Sequence, residues 1–156
     1  MKTSKFTKLF IAFCAMCALV ACGGPGEVDA RDQFIGGYDY QATGKAVITV
    51  GPAKYNIPLD AQGIFTVSKV GDQDQVIIVG YNDTINATVS GNQLILESNV
   101  THTQSSGVNI QLKFDYDKAT LVENKLSWTS TVKAYATSSG FAAYGDGEVS
   151  VVATKK

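Results

Sequence analysis

The chain has 156 residues, of which 13 are basic and 14 are acidic, so its formal net charge is −1. Arg31 is the single arginine and the lysines beyond Lys8 do not cluster, which argues against nucleic-acid binding and against electrostatic docking onto anionic lipid. Hydrophobic residues make up 45% of the chain, and the length suits one domain with its own core.

The N-terminal segment has the pattern of a secretory signal peptide. Lys2, Lys5 and Lys8 precede residues 9–20, which carry no charge. As a helix this run would span roughly 18 Å, well short of the ~30 Å hydrocarbon core of a bilayer, so we do not expect a permanent transmembrane helix. We therefore interpret residues 1–21 as a signal peptide that is removed.

Cys22 follows Leu19, Val20 and Ala21 at the end of this apolar run. These four residues resemble the lipobox of bacterial lipoproteins, in which a small residue precedes the cysteine that becomes lipidated. The resemblance implies cleavage before Cys22, acylation by chains such as palmitate, and a stable anchor in the lipid bilayer. Cys14 and Cys17 lie inside the removed segment, so the mature chain would contain no disulfide.

Residues 22–33 are rich in glycine and acidic residues, which predicts a flexible tether with a reach of roughly 18 Å. Gly23 stands where an aspartate favours inner-membrane retention of lipoproteins, so the resemblance implies the outer membrane. Glu27 and Asp29 resemble the acidic surface-export signals of Bacteroidota lipoproteins, or they only solubilise a linker. Both interpretations stay open, and with them whether the domain faces the periplasm or the cell surface.

From residue 34 to residue 156, polar and apolar residues alternate between turn signals, as in half-buried strands. The pattern is clear where Ile110, Leu112, Phe114 and Tyr116 share one face. Two further sets share a face in the same way, namely Leu126, Trp128, Ser130, Val132 and Ala134, and Leu94, Leu96, Ser98, Val100 and His102. Turn signals lie at residues 70–72, 90–92, 104–107, 123–125 and 137–140, and Gly145, Asp146 and Gly147 form another before the last strand.

No stretch after residue 33 keeps a helical period for three turns, so the domain is predicted to be all-β. Eight to ten short strands joined by short turns make an antiparallel meander, which avoids exposed edges by closing into a barrel. The alternative is a two-sheet β-sandwich, but a sandwich of Greek-key type needs at least one long connection.

Tyr38 comes two residues after Gly36 at the head of the first predicted strand. This spacing resembles the Gly-x-Trp opening of lipocalins and of the wider group of calycin barrels, with tyrosine in place of tryptophan. The arginine that these families carry near the last strand is missing, because Arg31 is the only arginine. The layout resembles the small calycin-like lipoproteins of Bacteroidota, which implies a small calycin-like β-barrel over residues 34–156.

The sequence shows no catalytic constellation. His102 is the only histidine and lies close to a predicted turn, and the carboxylate pairs at spacing i, i+2 also lie beside turns, where they favour solubility. We therefore expect no enzyme activity, no cofactor and no metal site. Asp83, Thr84 and Ile85 resemble the three-residue site that Bacteroidota O-glycosylate, which makes Thr84 a candidate acceptor.

Four aromatic residues are candidates for a ligand site: Tyr38, Phe114, Tyr116 and Trp128. Binding cavities combine apolar surface with a few polar tips, which these side chains supply. Tyr38 and Trp128 also suit a filled core, because barrels this small are often packed with their own side chains. The sequence thus favours a non-catalytic envelope lipoprotein that binds a small apolar or glycan ligand, and its alternative is a solid barrel that acts as a structural or protein-interaction module.

Overall fold

The structure, a computed structural model, describes residues 28–71, 73–80, 83–105, 108–138 and 140–156. The predicted lipidation site at Cys22, the signal peptide 1–21 and the first part of the tether lie outside the described residues.

The described chain consists of strands and their connections. The eleven strands are β1 (Gly36–Val50), β2 (Ala53–Pro58), β3 (Ala61–Val70), β4 (Gln75–Val79), β5 (Thr84–Ser90), β6 (Gln93–Leu96), β7 (Asn99–Ser105), β8 (Val108–Tyr116), β9 (Ala119–Val122), β10 (Lys125–Ser138) and β11 (Phe141–Lys155).

Eight of these strands close into a barrel in the order β11, β1, β3, β4, β5, β6, β9 and β10, and pairing between β10 and β11 completes the ring. All pairings are antiparallel, and each ring strand lies next to its neighbour in the chain once β2, β7 and β8 are set aside. This confirms the predicted all-β meander closed into a barrel, and the two-sheet sandwich is not formed.

The three remaining strands extend two hairpins beyond the closed ring. β2 and β3 pair with β1 in a single register that runs from Val50↔Ala53 to Ala42↔Ala61. β6 and β7 likewise pair with β9 and β8 in one register. Because β4 and β5 are short, β2 and β7 form the two edges of the sheet at this end of the described barrel.

The barrel interior divides into two packed clusters. We call the first the closed half; it is built around Phe34, Tyr38, Phe65, Leu94 and Leu126. We call the second the open half; it is built around Ala46, Ile48, Leu112, Val132 and Ala143, on strands that continue beyond the ring. The aromatic and leucine side chains are concentrated in the closed half, whereas five of the ten buried residues of the open half are alanines.

Most predicted turns coincide with hairpins of the structure. Gly71 and Gly91 adopt φ of 59° and 62° in the β3–β4 and β5–β6 connections, a backbone region that favours glycine. The predicted turn at Gly145, Asp146 and Gly147 is wrong, because these residues lie inside β11. A Cβ at Gly147 would clash with the carbonyl oxygen of Lys45 and the Cα of Ala46, so glycine there permits close contact between β11 and β1.

The predicted inner face of the Leu94 strand is correct only for its first part. Leu94 and Leu96 are buried, but Val100 is 41% exposed and His102 is exposed on β7. The strand is interrupted between β6 and β7, at residues 97 and 98, so the alternation shifts by one residue and Thr101 turns inward instead.

Residues 28–33, the last part of the predicted tether, form a turn packed against the closed half. Arg31 is buried and donates hydrogen bonds to the carbonyl oxygens of Gly71 (3.0 Å) and Gln73 (2.6 Å). Its guanidinium also pairs with Asp29, and together with Lys69 it holds the pKa of that carboxyl well below its usual range. The ordered domain therefore begins before β1.

A candidate ligand-binding cavity

A cavity of about 550 Å³ lies where the closed half meets the open half, and it is partly open to solvent. Its wall is contributed by strands from both halves and by the ends of the β4–β5 connection. The lining residues are Tyr40, Ala42, Leu59, Ala61, Gln62, Phe65, Ile78, Gly80, Asp83, Ile85, Thr101, Phe114, Tyr116, Trp128, Ser130, Val149 and Val151.

The strand period places the side chains in this wall. Trp128 and Ser130 lie two residues apart on β10, so both project to the inner face about 7 Å from each other along the strand. Phe114 and Tyr116 stand on β8 in the same way, and Ser130 is paired with Tyr116 across the two strands. These neighbouring lining residues therefore carry three aromatic rings and two hydroxyls, those of Tyr116 and Ser130.

An aromatic layer separates the cavity from the closed half. Phe65 lines the cavity, and its ring meets that of Trp128 edge-on at a centroid distance of 6.2 Å. On the side of the closed half, Tyr38 stacks on Phe65 at 5.1 Å. Such ring pairs are stable in offset or edge-to-face geometry, so these packed rings form the base of the cavity.

Two buried polar atoms of lining residues lack hydrogen-bond partners among the described residues. They are the indole Nε1 of Trp128 and the hydroxyl Oγ of Ser130, and both are buried. A buried donor without a partner costs roughly 1–3 kcal/mol, and such groups are rare in folded proteins. Both atoms have less than 1 Å² of accessible surface, so they lie behind the cavity surface rather than on it. Tyr38 is a polar residue of the barrel interior that is paired, because its hydroxyl donates to the Phe34 carbonyl oxygen at 2.8 Å.

Tyr116 is a lining residue whose pKa is strongly raised. The pKa of its phenol is about 12, mainly because the phenol is buried and also because the charge of Asp83 lies nearby, while a hydrogen bond with the Asn99 side chain acts in the opposite direction. The phenol therefore stays protonated at neutral pH and remains a hydrogen-bond donor.

The lining carries little charge. Asp83 is its single acidic side chain among the described residues, which contribute no Lys, Arg or His, and it is exposed, which places it at the rim. Gln62 and Ala61 are exposed as well, so the rim lies between β3 and the start of β5. An apolar wall with few polar groups is the usual composition of a small-molecule site.

Three of the four predicted ligand residues, Phe114, Tyr116 and Trp128, line the cavity. Tyr38 does not; it is fully buried in the closed half. Sequence reasoning placed Ser130 on the correct face but did not propose it as a site residue. It also missed Tyr40, whose position two residues after Tyr38 on the same strand was the available signal.

The other predicted positions lie away from the cavity wall. Thr84 is exposed at the start of β5, where O-glycosylation stays a prediction. His102 is exposed on the edge strand β7 and is not part of the lining. Within the described ranges, no group of three or more His, Cys, Asp or Glu residues is placed to hold a metal ion, and no helix is long and apolar enough to cross a bilayer.

No family model matches the chain, and no curated protein matches it. Among solved structures, the crystal structure of the ywiB protein from Bacillus subtilis aligns with 81% of this chain and 98% of its own, at 11% sequence identity and a TM-score of 0.31. A score of this size carries no argument about function. The class of the protein therefore rests on its own fold, an antiparallel eight-stranded β-barrel with a cavity beside its core.

Proposed function

We propose that this protein is a non-catalytic binding protein that holds a small, mainly apolar ligand in the barrel cavity. The cavity itself carries the proposal, because its volume of about 550 Å³ falls within the ~300–1,000 Å³ typical of small-molecule sites. The alternative of a solid barrel needs a filled interior. A glycan would need more hydrogen-bonding groups than the mainly apolar wall offers, so the lining favours the apolar ligand.

The rim supports exchange of a ligand with solvent. Gln62 and Asp83 are exposed and line the cavity, so the opening lies next to the connection between β4 and β5. At this point β2 and β7 no longer have a strand between them, since β4 and β5 end earlier. A ligand can enter here without separating a paired strand.

We further propose that the barrel works as a lipoprotein anchored by acylated Cys22 in the outer membrane, as the lipobox resemblance implies. The barrel would then hold its ligand close to a lipid surface. An anchored binding protein suits a poorly soluble ligand, because it keeps the site near the phase in which such a ligand is concentrated.

The binding proposal is testable with the chain's single tryptophan, Trp128, which lies in the cavity wall. We expect the fluorescent apolar probe N-phenyl-1-naphthylamine to bind and to accept excitation energy from Trp128. Ala42→Leu adds three carbon atoms at the cavity wall and should weaken probe binding at least about tenfold. The larger side chain occupies space that the rigid rings of the probe need, and a packed wall does not move aside without cost. Ala142→Leu makes the same change at an exposed position of β11 and is the matched control.

Equal probe binding by Ala42→Leu, Ala142→Leu and the unaltered chain would contradict the cavity proposal. Native mass spectrometry of protein purified from its own host gives an independent test. A co-purified small molecule that is lost in Ala42→Leu and kept in Ala142→Leu supports the proposal.

The anchor is tested separately. We expect Cys22→Ala to abolish acylation and to prevent normal processing of the signal peptide, with Cys17→Ala as the matched control. Metabolic labelling with a palmitate analogue and gel mobility measure both effects. Labelling that persists in Cys22→Ala would show that the lipobox interpretation is wrong, and it would leave the cavity proposal unaffected.

A further inference from the structure

From the charges around the cavity opening we infer the chemical class of the ligand: a mainly apolar molecule that carries one positively charged ammonium group. The inference rests on the proposed binding function and deepens it. The ammonium group would lie at the rim, between Asp83 and the aromatic part of the wall, and the apolar body would occupy the cavity itself.

Asp83 is held at the opening by the backbone of the β4–β5 connection. The amide of Gly80 donates to the carbonyl oxygen of Asp83 at 2.8 Å, and the next residue, Thr84, pairs with Val79. The Asp83 side chain lines the cavity, and its charge helps to raise the pKa of the Tyr116 phenol. None of the salt bridges between described residues includes Asp83. A carboxylate therefore stands near an aromatic residue at the opening, with no cationic side chain paired to it.

A second carboxylate, that of Asp60, lies next to the same opening. Asp60 is exposed between Leu59 and Ala61, which both line the cavity, and it accepts a hydrogen bond from the amide of Gly44 at 3.0 Å. Negative groups at the mouth of an apolar cleft focus a negative potential into the cleft. An anion would be repelled there and would lose its hydration without gaining a counter-charge, so free fatty acids and phosphorylated ligands are disfavoured.

Lysines on the strands beside the opening do not face the cavity. On β1, Lys45 is exposed next to the buried Ala46. On β2, Lys54 is paired with Thr49, which is adjacent to the buried Ile48. Successive residues of a strand point to opposite faces, and directly paired residues share a face, so both lysines lie on the outer face of the barrel. The ligand would therefore meet the carboxylates and not the ammonium groups of these strands.

The aromatic wall supplies the second feature that favours a cation. Five aromatic side chains line the cavity, namely Tyr40, Phe65, Phe114, Tyr116 and Trp128. The rings of Phe114 and Tyr116 are nearly parallel, with an interplanar angle of 10° and a centroid distance of 6.1 Å. A cation within about 6 Å of a ring centroid is attracted by the ring, and quaternary ammonium groups are recognised in this way. The same rings contact the apolar body, so one wall serves both parts of the ligand.

The experiment compares a cation with an uncharged molecule of nearly the same shape. Benzyltrimethylammonium and neopentylbenzene differ only in the positively charged nitrogen that replaces one carbon. Equilibrium dialysis at low salt gives the dissociation constant of each with protein expressed from the full chain. We expect both to bind, because the cavity is apolar. Asp83→Asn should weaken benzyltrimethylammonium binding about fivefold and leave neopentylbenzene binding unchanged, because the lost attraction acts only on a charge.

Asp146→Asn is the matched control, because it removes the same charge from an exposed residue on the outer face of β11. It should change neither dissociation constant, whereas Asp83→Glu keeps the charge and should keep tight binding of the cation. Added salt should weaken binding of benzyltrimethylammonium and not of neopentylbenzene, since salt screens exposed charges. Phenylacetate, an anion with the same ring, should bind at least about tenfold more weakly than benzyltrimethylammonium.

The contribution of the rings is tested at Tyr116. Tyr116→Phe keeps the ring, whereas Tyr116→Leu removes it and keeps an apolar side chain. We expect Tyr116→Leu to weaken benzyltrimethylammonium binding about threefold more than neopentylbenzene binding, and Tyr116→Phe to weaken the two equally. Binding of neopentylbenzene also reports whether each variant still forms the cavity.

The two proposals fail in different ways. If Asp83→Asn has no more effect on benzyltrimethylammonium than Asp146→Asn has, or if phenylacetate binds as tightly as the cation, the ligand-class inference is overturned and the binding function stands. The same holds if neopentylbenzene and N-phenyl-1-naphthylamine bind and benzyltrimethylammonium does not. If none of these probes binds, the proposed function fails and the inference fails with it.

Discussion

The closed half and the open half of the barrel share strands β1, β10 and β11, yet the cavity develops only where the open half begins. In the closed half the ring of eight strands is complete, and Phe34, Tyr38 and Leu126 are fully buried. In the open half the ring is interrupted between β2 and β7, and small residues such as Ala42 and Ala134 face inward. Strand closure and side-chain volume together decide which part of the barrel is solid.

Dense packing and open volume are therefore divided along the barrel axis. In the closed half, a filled core of aromatic and leucine side chains stabilises the fold by about 25 cal/mol per Å² of buried apolar surface. The cavity wall gives up part of that stabilisation, since side chains around an empty volume lose contacts. Substitutions in the two halves should therefore differ in size and, for polar groups, in sign.

The largest expected difference is between two leucine truncations. Leu126→Ala removes a fully buried side chain from the closed half and should lower the free energy of unfolding by about 3 kcal/mol. Leu59→Ala makes the same change at a half-buried residue of the cavity wall and should cost about 1 kcal/mol. Urea denaturation measures both values, and equal losses would show that the two halves are packed alike.

Removing a polar group should change the free energy of unfolding in opposite directions in the closed half and at the cavity wall. Tyr38→Phe removes the donor to the Phe34 carbonyl oxygen and should destabilise the closed half by about 1 kcal/mol. Ser130→Ala removes a buried hydroxyl that lacks a partner and should stabilise the protein by about 1 kcal/mol. A loss of stability in Ser130→Ala, measured by the same denaturation, would mean that the hydroxyl is satisfied in the unliganded protein.

The smallest expected effect concerns pH. The pKa of Tyr116 is raised from 10 to about 12, so the folded state keeps its phenol protonated over a range where the unfolded chain begins to ionise. The contribution of Tyr116 to stability is therefore complete below pH 10 and is lost as the pH rises through 12. Thermal unfolding from pH 9 to pH 12 should show a shallower decline in Tyr116→Phe than in the unaltered chain.

Absorbance titration at 295 nm provides the control for this prediction. One phenol fewer should titrate near pH 12 in Tyr116→Phe, with the other tyrosines unaffected. If the missing phenol titrates near pH 10 instead, Tyr116 is solvated and the cavity wall is looser than the structure indicates.

The alternation of residues was sufficient to predict the two strands that carry Phe114, Tyr116, Trp128 and Ser130 in the cavity lining. Trp128 and Ser130 were placed on one face of one strand, and Phe114 and Tyr116 on one face of another, as the structure has them. This worked because a strand with one buried face leaves a period of two in the sequence. Turns that require a positive φ, such as those at Gly71 and Gly91, could be predicted because the residue types within each turn determine its conformation.

Three features could not be predicted from the sequence, because they depend on contacts between distant parts of the chain. Gly145 and Gly147 lie in the middle of β11, where β1 approaches too closely for a side chain, although the same residues are typical of a turn. The interruption between β6 and β7 moved Val100 and His102 outward. Arg31 was predicted to lie in a tether, but the β3–β4 connection offers carbonyl oxygens to its guanidinium.

The local sequence pattern was enough to predict the all-β class, the meander order and the buried faces of the main strands. Alternation and turn chemistry depend on residues that are close together in the chain. The N-terminal pattern likewise makes Cys22 the predicted anchor without reference to the fold. Only the tertiary structure decided that Tyr38 fills the closed half while Trp128 and Ser130 border an open volume. That outcome depends on where the ring closes and on which side chains meet across it, and both are properties of the assembled barrel.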